Sequence, residues 1–131
     1  MALRTEGLHH LAIRVTDLAR ARRFYVDTLG FQPVLDIPGG LIVNANGTLI
    51  GIRGGVAPTR PDDRFDPHRV GLDHLALGVG ETSALEGLKA QLDAADVPNN
   101  GIEDDAPLGA RYISFYDPDG IAWELYAMPA R

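Results

Sequence analysis

The stretch His10-Leu11-Ala12-Ile13-Arg14-Val15 returns later in the chain as His74-Leu75-Ala76-Leu77-Gly78-Val79, with its histidine, leucine, alanine and valine in the same register. Each copy is followed by a helical pattern and then by strand-like segments, so the chain reads as two copies of one supersecondary unit. In the first copy Leu11, Ile13 and Val15 alternate with His10, Ala12 and Arg14, as on a half-buried strand. In the second, Leu75, Leu77 and Val79 take the apolar phase and His74 and Ala76 the other. The counterpart of His9 is Asp73, so the repetition singles out His10 rather than its neighbour.

Outward from the repeated strands, Thr16-Asp17 offers N-cap chemistry for a helix over about Leu18 to Leu29, with Leu18, Ala21, Tyr25 and Leu29 on one stripe and Gly30 as its stop. The arginines Arg20, Arg22 and Arg23 read as a solvated face of that helix rather than an anion site. In the second copy Ser83-Ala84-Leu85-Glu86 has capping-box spacing, and Leu85, Leu88, Leu92 and Ala95 form the buried stripe, ended by Val97 to Gly101. Two hairpins follow the same plan. Asn44-Ala45-Asn46-Gly47 joins Leu41-Ile42-Val43 to Thr48 to Ile52, and Asp117-Pro118-Asp119-Gly120 joins Tyr112 to Tyr116 to Ile121 to Tyr126. Counted from the turn glycines Gly47 and Gly120, Gly51 is the counterpart of Glu124. The predicted order is β-α-β-β-β twice.

The composition bounds what such a chain can do. At 131 residues and 45% apolar content it fits a single domain with a real core, and its formal charge of −6 argues against nucleic acid or an anionic membrane as partner. With no cysteine, a metal site would need nitrogen and oxygen ligands, and the chain suits a reducing, cytoplasmic setting. Residues 1–7 contain no apolar signal-like core, and a small molecule is the expected partner. The segment from Arg53 to Arg69, rich in Gly, Pro, Asp and Arg, reads as a linker in which His68 is a solvated loop residue.

His10 and His74 begin equivalent strands on the phase away from the helices, and Glu124 shares a phase with Ala122 and Tyr126. Two imidazoles and a carboxylate suit a borderline divalent ion such as Fe, Mn, Ni or Zn, with positions left open for water and substrate. Against this stands the reading of each histidine, taken singly, as a hydrogen-bonded structural residue. Tyr112, Ser114, Tyr116 and Tyr126 share the same phase. They are candidates for orienting substrate or moving a proton, although a tyrosine with a pKa near 10 is a poor base without tuning, which favours wall-lining. Arg14 and Arg53 are candidates for gripping an anionic substrate, with strand-end charges in solvent as the alternative.

These residues resemble the vicinal oxygen chelate superfamily, which includes glyoxalase I, extradiol dioxygenases, fosfomycin-modifying enzymes and bleomycin-binding proteins. The resemblance rests on the doubled β-α-β-β-β pattern, His10 ahead of Asp17, His74 in Leu72-Asp73-His74-Leu75-Ala76-Leu77, Glu124 after Asp117-Pro118-Asp119-Gly120, and Phe24 to Phe31 at the end of the first helix. It implies an α+β fold in which two tandem modules form a cup-shaped, mostly antiparallel sheet with helices outside, often completed in a homodimer. It implies metal ligands at His10, His74 and Glu124. The modules would span about 7–54 and 71–128, with a linker over 55–70.

Departures from the pattern narrow the chemistry. The fourth ligand that glyoxalase I and related isomerases draw from the first module falls at Gly51, which has no side chain to offer. Ser114 stands where extradiol dioxygenases carry a tyrosine. Ala12 and the stretch Ala106-Pro107-Leu108-Gly109-Ala110 stand where fosfomycin transferases carry a hydroxyl residue and a serine-rich loop. The expectation is a divalent-metal enzyme acting on a small molecule with two neighbouring oxygens, a ring-cleaving dioxygenase or a lyase/isomerase. The alternative is a non-catalytic antibiotic-binding protein of the bleomycin-resistance kind.

Overall fold

In the computed structural model, which describes residues 2–129, the chain divides into two compact units that meet between Asp63 and Arg64. The first contains β1 (His10–Val15), α1 (Leu18–Arg22), β2 (Gln32–Ile37), β3 (Gly40–Ala45) and β4 (Thr48–Gly54); the second contains β5 (Leu75–Glu81), α2 (Leu85–Ala94), β6 (Asn99–Asp105), β7 (Ala110–Tyr116) and β8 (Ala122–Met128). Each is β-α-β-β-β, as the repeat predicts, and each makes a four-stranded sheet. The orders are β1-β4-β3-β2 and β5-β8-β7-β6, with the first strand parallel to the last and the other pairings antiparallel.

Alternation places one face of each sheet against its helix. In the first unit Ile13, Val15, Leu41, Val43, Ile50 and Ile52 are buried from three neighbouring strands, and Ala21, Phe24 and Tyr25 meet them from the helical segment. In the second, Ile113, Phe115, Trp123 and Ala127 are buried with Leu85 and Leu92 of α2, and the Phe115 and Trp123 rings lie parallel with centroids 6.2 Å apart. The other face carries His10, Ala12 and Arg14 in the first unit and Ala76, Glu124 and Tyr126 in the second, all exposed or half-buried.

The first helix differs from its predicted form. Asp17 caps it as expected, accepting from the Arg20 amide at 3.0 Å, but α-helix gives way to a π-helical turn over Arg23–Thr28, with the Leu29 amide bonded to the Phe24 carbonyl at 2.9 Å. The wider turn brings consecutive Phe24 and Tyr25 into the core with their rings edge to face at 5.0 Å, which a regular stripe through Ala21 and Tyr25 would not do. At the second helix the Ser83 capping box does not form. A 3₁₀ turn over Thr82–Ala84 leads into α2 with no side-chain cap bond, and Ala95 lies exposed beyond the helix end.

The Asn46-Gly47 turn has φ of 50° and 106°, the pair of positive values that a two-residue hairpin of this twist needs. At the far end of β4, Gly54 has φ 134°, and a Cβ there would lie 1.9 Å from the Val15 carbonyl oxygen; only glycine lets β1 and β4 close at this point. The second hairpin is held by buried Asp117, whose Oδ1 accepts from the amides of Asp119 at 2.9 Å and Ile121 at 2.7 Å. Among the described residues no helix is long and apolar enough to cross a membrane.

Candidate functional site

The register of the sheets bears on the comparison of the two halves. In the first unit Ala12 is opposite Gly51, and in the second the corresponding Ala76 is opposite Glu124. Gly51 and Glu124 therefore hold equivalent places in the two sheets, as counting from the turns predicts. Packing does not dictate the glycine: a Cβ on Gly51 would meet the Ala12 methyl at 3.4 Å and no closer atom.

In the second unit the sheet brings His74 and Glu124 together. His74 directly precedes β5, Glu124 sits on β8, and His74 Nε2 is 3.4 Å from Glu124 Oε1. The other ring nitrogen, Nδ1, is 2.6 Å from Asp73 Oδ1. An ionised carboxylate only accepts, so Nδ1 carries a proton toward Asp73, and Nε2 is the nitrogen turned toward Glu124. That is the arrangement of a metal-binding histidine steadied by a carboxylate behind it. The donor set fits a divalent ion of the nitrogen- and oxygen-binding class. Burial pushes the Glu124 carboxyl above its ordinary pKa; His74 opposes the shift, and the carboxylates of Asp105, Asp73 and Glu103 add to it.

His10 holds the matching position at the start of β1, exposed, with its Nδ1 2.8 Å from Nδ1 of His9. Two imidazoles can share a single proton but neither is a fixed acceptor, so the first copy lacks the Asp73 device. Among the described residues no group of three or more His, Asp or Glu side chains is gathered as an ion site. The pair His74 and Glu124 is what the structure assembles.

A cavity of about 660 Å³ opens beside this pair, walled by Tyr112, Tyr126 and the stretch from Asp104 to Leu108. Tyr112 and Tyr126 are opposite each other across β7 and β8, their rings nearly parallel at 6.0 Å. Tyr112 donates its hydroxyl proton to Glu103 at 3.1 Å, and Tyr126 donates to Asp105 at 2.7 Å. These bonds raise both phenols, Tyr126 to about 12, a direction that disfavours either as a general base. Ser114 is the register partner of Glu124 on β7, and Tyr116 accepts from Asn100 Nδ2 at 2.8 Å. Neither lines the cavity.

Arg14 and Arg53 are exposed register partners in the first unit, and Arg14 donates to the Thr59 hydroxyl at 2.8 Å. Neither lines the cavity of the second unit. In the first helix Arg20 donates to Thr16 and Arg22 is bonded to Asp36, which matches the solvated-face reading. The residues that sequence reasoning passed over are Asp73, Glu103 and Asp105. Asp73 was visible as the counterpart of His9. The i, i+2 spacing of Glu103 and Asp105 was also visible, but it carried no meaning without their tyrosine partners.

Together the doubled units, their register and the His74–Glu124 pair define a class of protein. The chain belongs to the Glyoxalase/Bleomycin resistance protein/Dioxygenase superfamily, whose family model matches residues 7–125. Its relatives include YwkD of Bacillus subtilis, 31% identical over 127 residues and spanning 92% of this chain and 96% of that one, and YaeR of Escherichia coli, 32% identical over 127 residues and spanning 91% and 94%; both are uncharacterized proteins. Among solved structures, a glyoxalase/bleomycin resistance protein/dioxygenase domain from a Frankia species superposes with a TM-score of 0.79 at 25% identity, covering 95% of this chain and 93% of that one. A variant of the fosfomycin resistance protein FosX from Listeria monocytogenes, complexed with Mn(II) and a dihydroxypropylphosphonic acid, shares the fold at a TM-score of 0.73 and 20% identity, covering 95% and 92%.

Proposed function

We propose that this protein is a divalent-metal enzyme acting on a small molecule that presents two neighbouring oxygens, with His74, Glu124 and His10 as the ligands of Fe, Mn, Ni or Zn. The observation that carries the proposal is the approach of His74 Nε2 to Glu124 Oε1 at 3.4 Å, with Nδ1 held by Asp73. The Mn(II) complex of FosX supports a metal in this fold. When bound, the ion supplies Lewis-acid polarisation of the substrate oxygens. Asp73 holds the His74 ring in the tautomer that exposes Nε2. Glu124 supplies an anionic oxygen from the half-buried floor of the cavity, and Tyr112 and Tyr126 orient the substrate as walls. Ser114 lies beside Glu124 in register and outside the cavity lining, so it has no place at the reacting atoms.

Gly51 leaves the first unit without a carboxylate equivalent to Glu124, which disfavours a four-ligand isomerase centre and leaves dioxygenase or three-ligand lyase/isomerase chemistry. The proposal includes a cytoplasmic homodimer, with the dimer to be checked by sedimentation equilibrium. Elemental analysis of protein prepared without chelator tests the metal: about one divalent ion per chain is expected, lost in His74→Ala and Glu124→Gln. Protein without a bound ion, and with none taken up on dialysis against Fe(II), Mn(II), Ni(II) or Zn(II), would refute the reading. Oxygen uptake on catechols, run beside isomerase assays on thiohemiacetals, separates the two chemistries.

A further inference from the structure

The cavity wall of the second unit has an unusual polarity. Tyr112 and Tyr126 direct their hydroxyl protons into Glu103 and Asp105, so each phenol oxygen turns only lone pairs toward the cavity. Asp105 lines the cavity beside them, and no lysine or arginine is among the lining residues. Asp104 also lines it, but Arg111 Nε is 2.9 Å from its Oδ1 and offsets its charge. Among the described residues Glu103 and Asp105 have no such basic partner, and each accepts from one of the two phenols. The wall is thus built of acceptors and negative charge, while the side that holds Glu124 and His74 carries the ligand atoms.

We infer that the substrate carries a hydrogen-bond donor group, an ammonium above all, at its end remote from the two chelating oxygens, and that Tyr112, Tyr126, Glu103 and Asp105 select it against a carboxylate or phosphonate at that end. The inference rests on the metal-centred reading for the chelating end alone. The selecting row lies one two-residue step along β8 from Glu124, about 7 Å, which suits a small aromatic or sugar-sized body between the two ends. A carboxylate placed there would face Asp105 and two phenol lone pairs and would find no donor. An ammonium would displace water from three acceptors and complement the charge of Asp105.

Three probes that share one chelating end test this: dopamine, 4-methylcatechol and 3,4-dihydroxyphenylacetate, titrated calorimetrically and anaerobically into the full chain loaded with Mn(II), and again in the presence of EDTA. Dopamine is expected to bind about tenfold tighter than the carboxylate probe, with the neutral catechol between, and the gap should shrink as salt rises. Asp105→Asn should bring the two charged probes to within about threefold, and Glu103→Gln should move them the same way by less. Equal or tighter binding of the carboxylate probe by the wild type would overturn the inference, as would a preference unchanged in both variants or no binding of any probe. If Mn(II) does not bind but the dopamine preference persists in EDTA, the metal reading fails and the wall reading stands.

Discussion

Replacing Glu124 by glutamine should stabilise the metal-free protein while removing a ligand. The Glu124 side chain is 16% exposed, with His74 Nε2 at 3.4 Å, and its burial together with the carboxylates of Asp105, Asp73 and Glu103 raises its pKa. Its folded-state pKa therefore lies above the ordinary 4.5, and the folded chain holds the proton more tightly than the unfolded one. Well below 4.5, the unfolded value, both states are protonated, and glutamate and glutamine should behave alike. As pH climbs through the folded pKa, the wild type comes to hold a charge in a half-dry, negatively charged setting, and the penalty grows to a plateau. With water still reaching part of the group and His74 offsetting part of the field, the plateau should be about 0.5 to 1 kcal/mol. For a chain of this size that is about 2 to 5 °C in Tm. Thermal unfolding of both proteins in EDTA from pH 4 to pH 8 measures it: coincident curves at the acid end, and glutamine ahead near neutrality. A glutamine variant less stable than wild type at pH 7.5 would refute the argument, since it would show that Glu124 contributes more to holding the fold than its charge costs.

Three further outcomes follow from the geometry. Gly51→Ala should change stability by less than about 1 kcal/mol, because nothing lies nearer to its methyl than the Ala12 methyl at 3.4 Å, whereas Gly54→Ala, with its Cβ 1.9 Å from the Val15 carbonyl, should cost about 3 kcal/mol or more; urea unfolding compares them. In a spectrophotometric titration one of the four tyrosines, Tyr126, should ionise near pH 12 in the wild type and at lower pH in Asp105→Asn, since the variant loses the carboxylate charge that holds the phenol proton. Asp73→Asn should weaken divalent-metal binding about 10- to 100-fold with little change in far-UV circular dichroism, because the His74 ring loses its fixed tautomer but not its place in the chain; unchanged affinity would show that Asp73 does not position the ligand.

Much of this architecture is legible in the residues. The repeated His-Leu-Ala stretch and the two turn glycines fix the internal correspondence closely enough to pair Gly51 with Glu124, because a strand's two-residue period carries register along the chain. Other features are not legible, for local reasons. The π-helical turn over Arg23–Thr28 does not alter composition, so Phe24 cannot be told from a residue beside the buried stripe. The strand β6, Asn-Asn-Gly-Ile-Glu-Asp-Asp, has polar residues on both phases, so the repeat calls for a strand here while its bounds come only from its pairing with β7. The acceptor wall was hidden for the same reason: Asp105 and Tyr126 are joined across 21 positions of sequence.

The strand order within each unit bears on how the chain is made. The last strand of each unit lies second in its sheet, between the first strand and the third, so β5 has no sheet to join until β8 exists. During synthesis the segment carrying His74 therefore waits, without its Glu124 partner, until nearly the whole second unit has left the ribosome, while the first unit can finish its own sheet once Gly54 emerges. A chain truncated shortly before Ala122 would lose not an edge but the middle of the sheet, leaving an orphaned strand with an exposed backbone as the species most prone to aggregate.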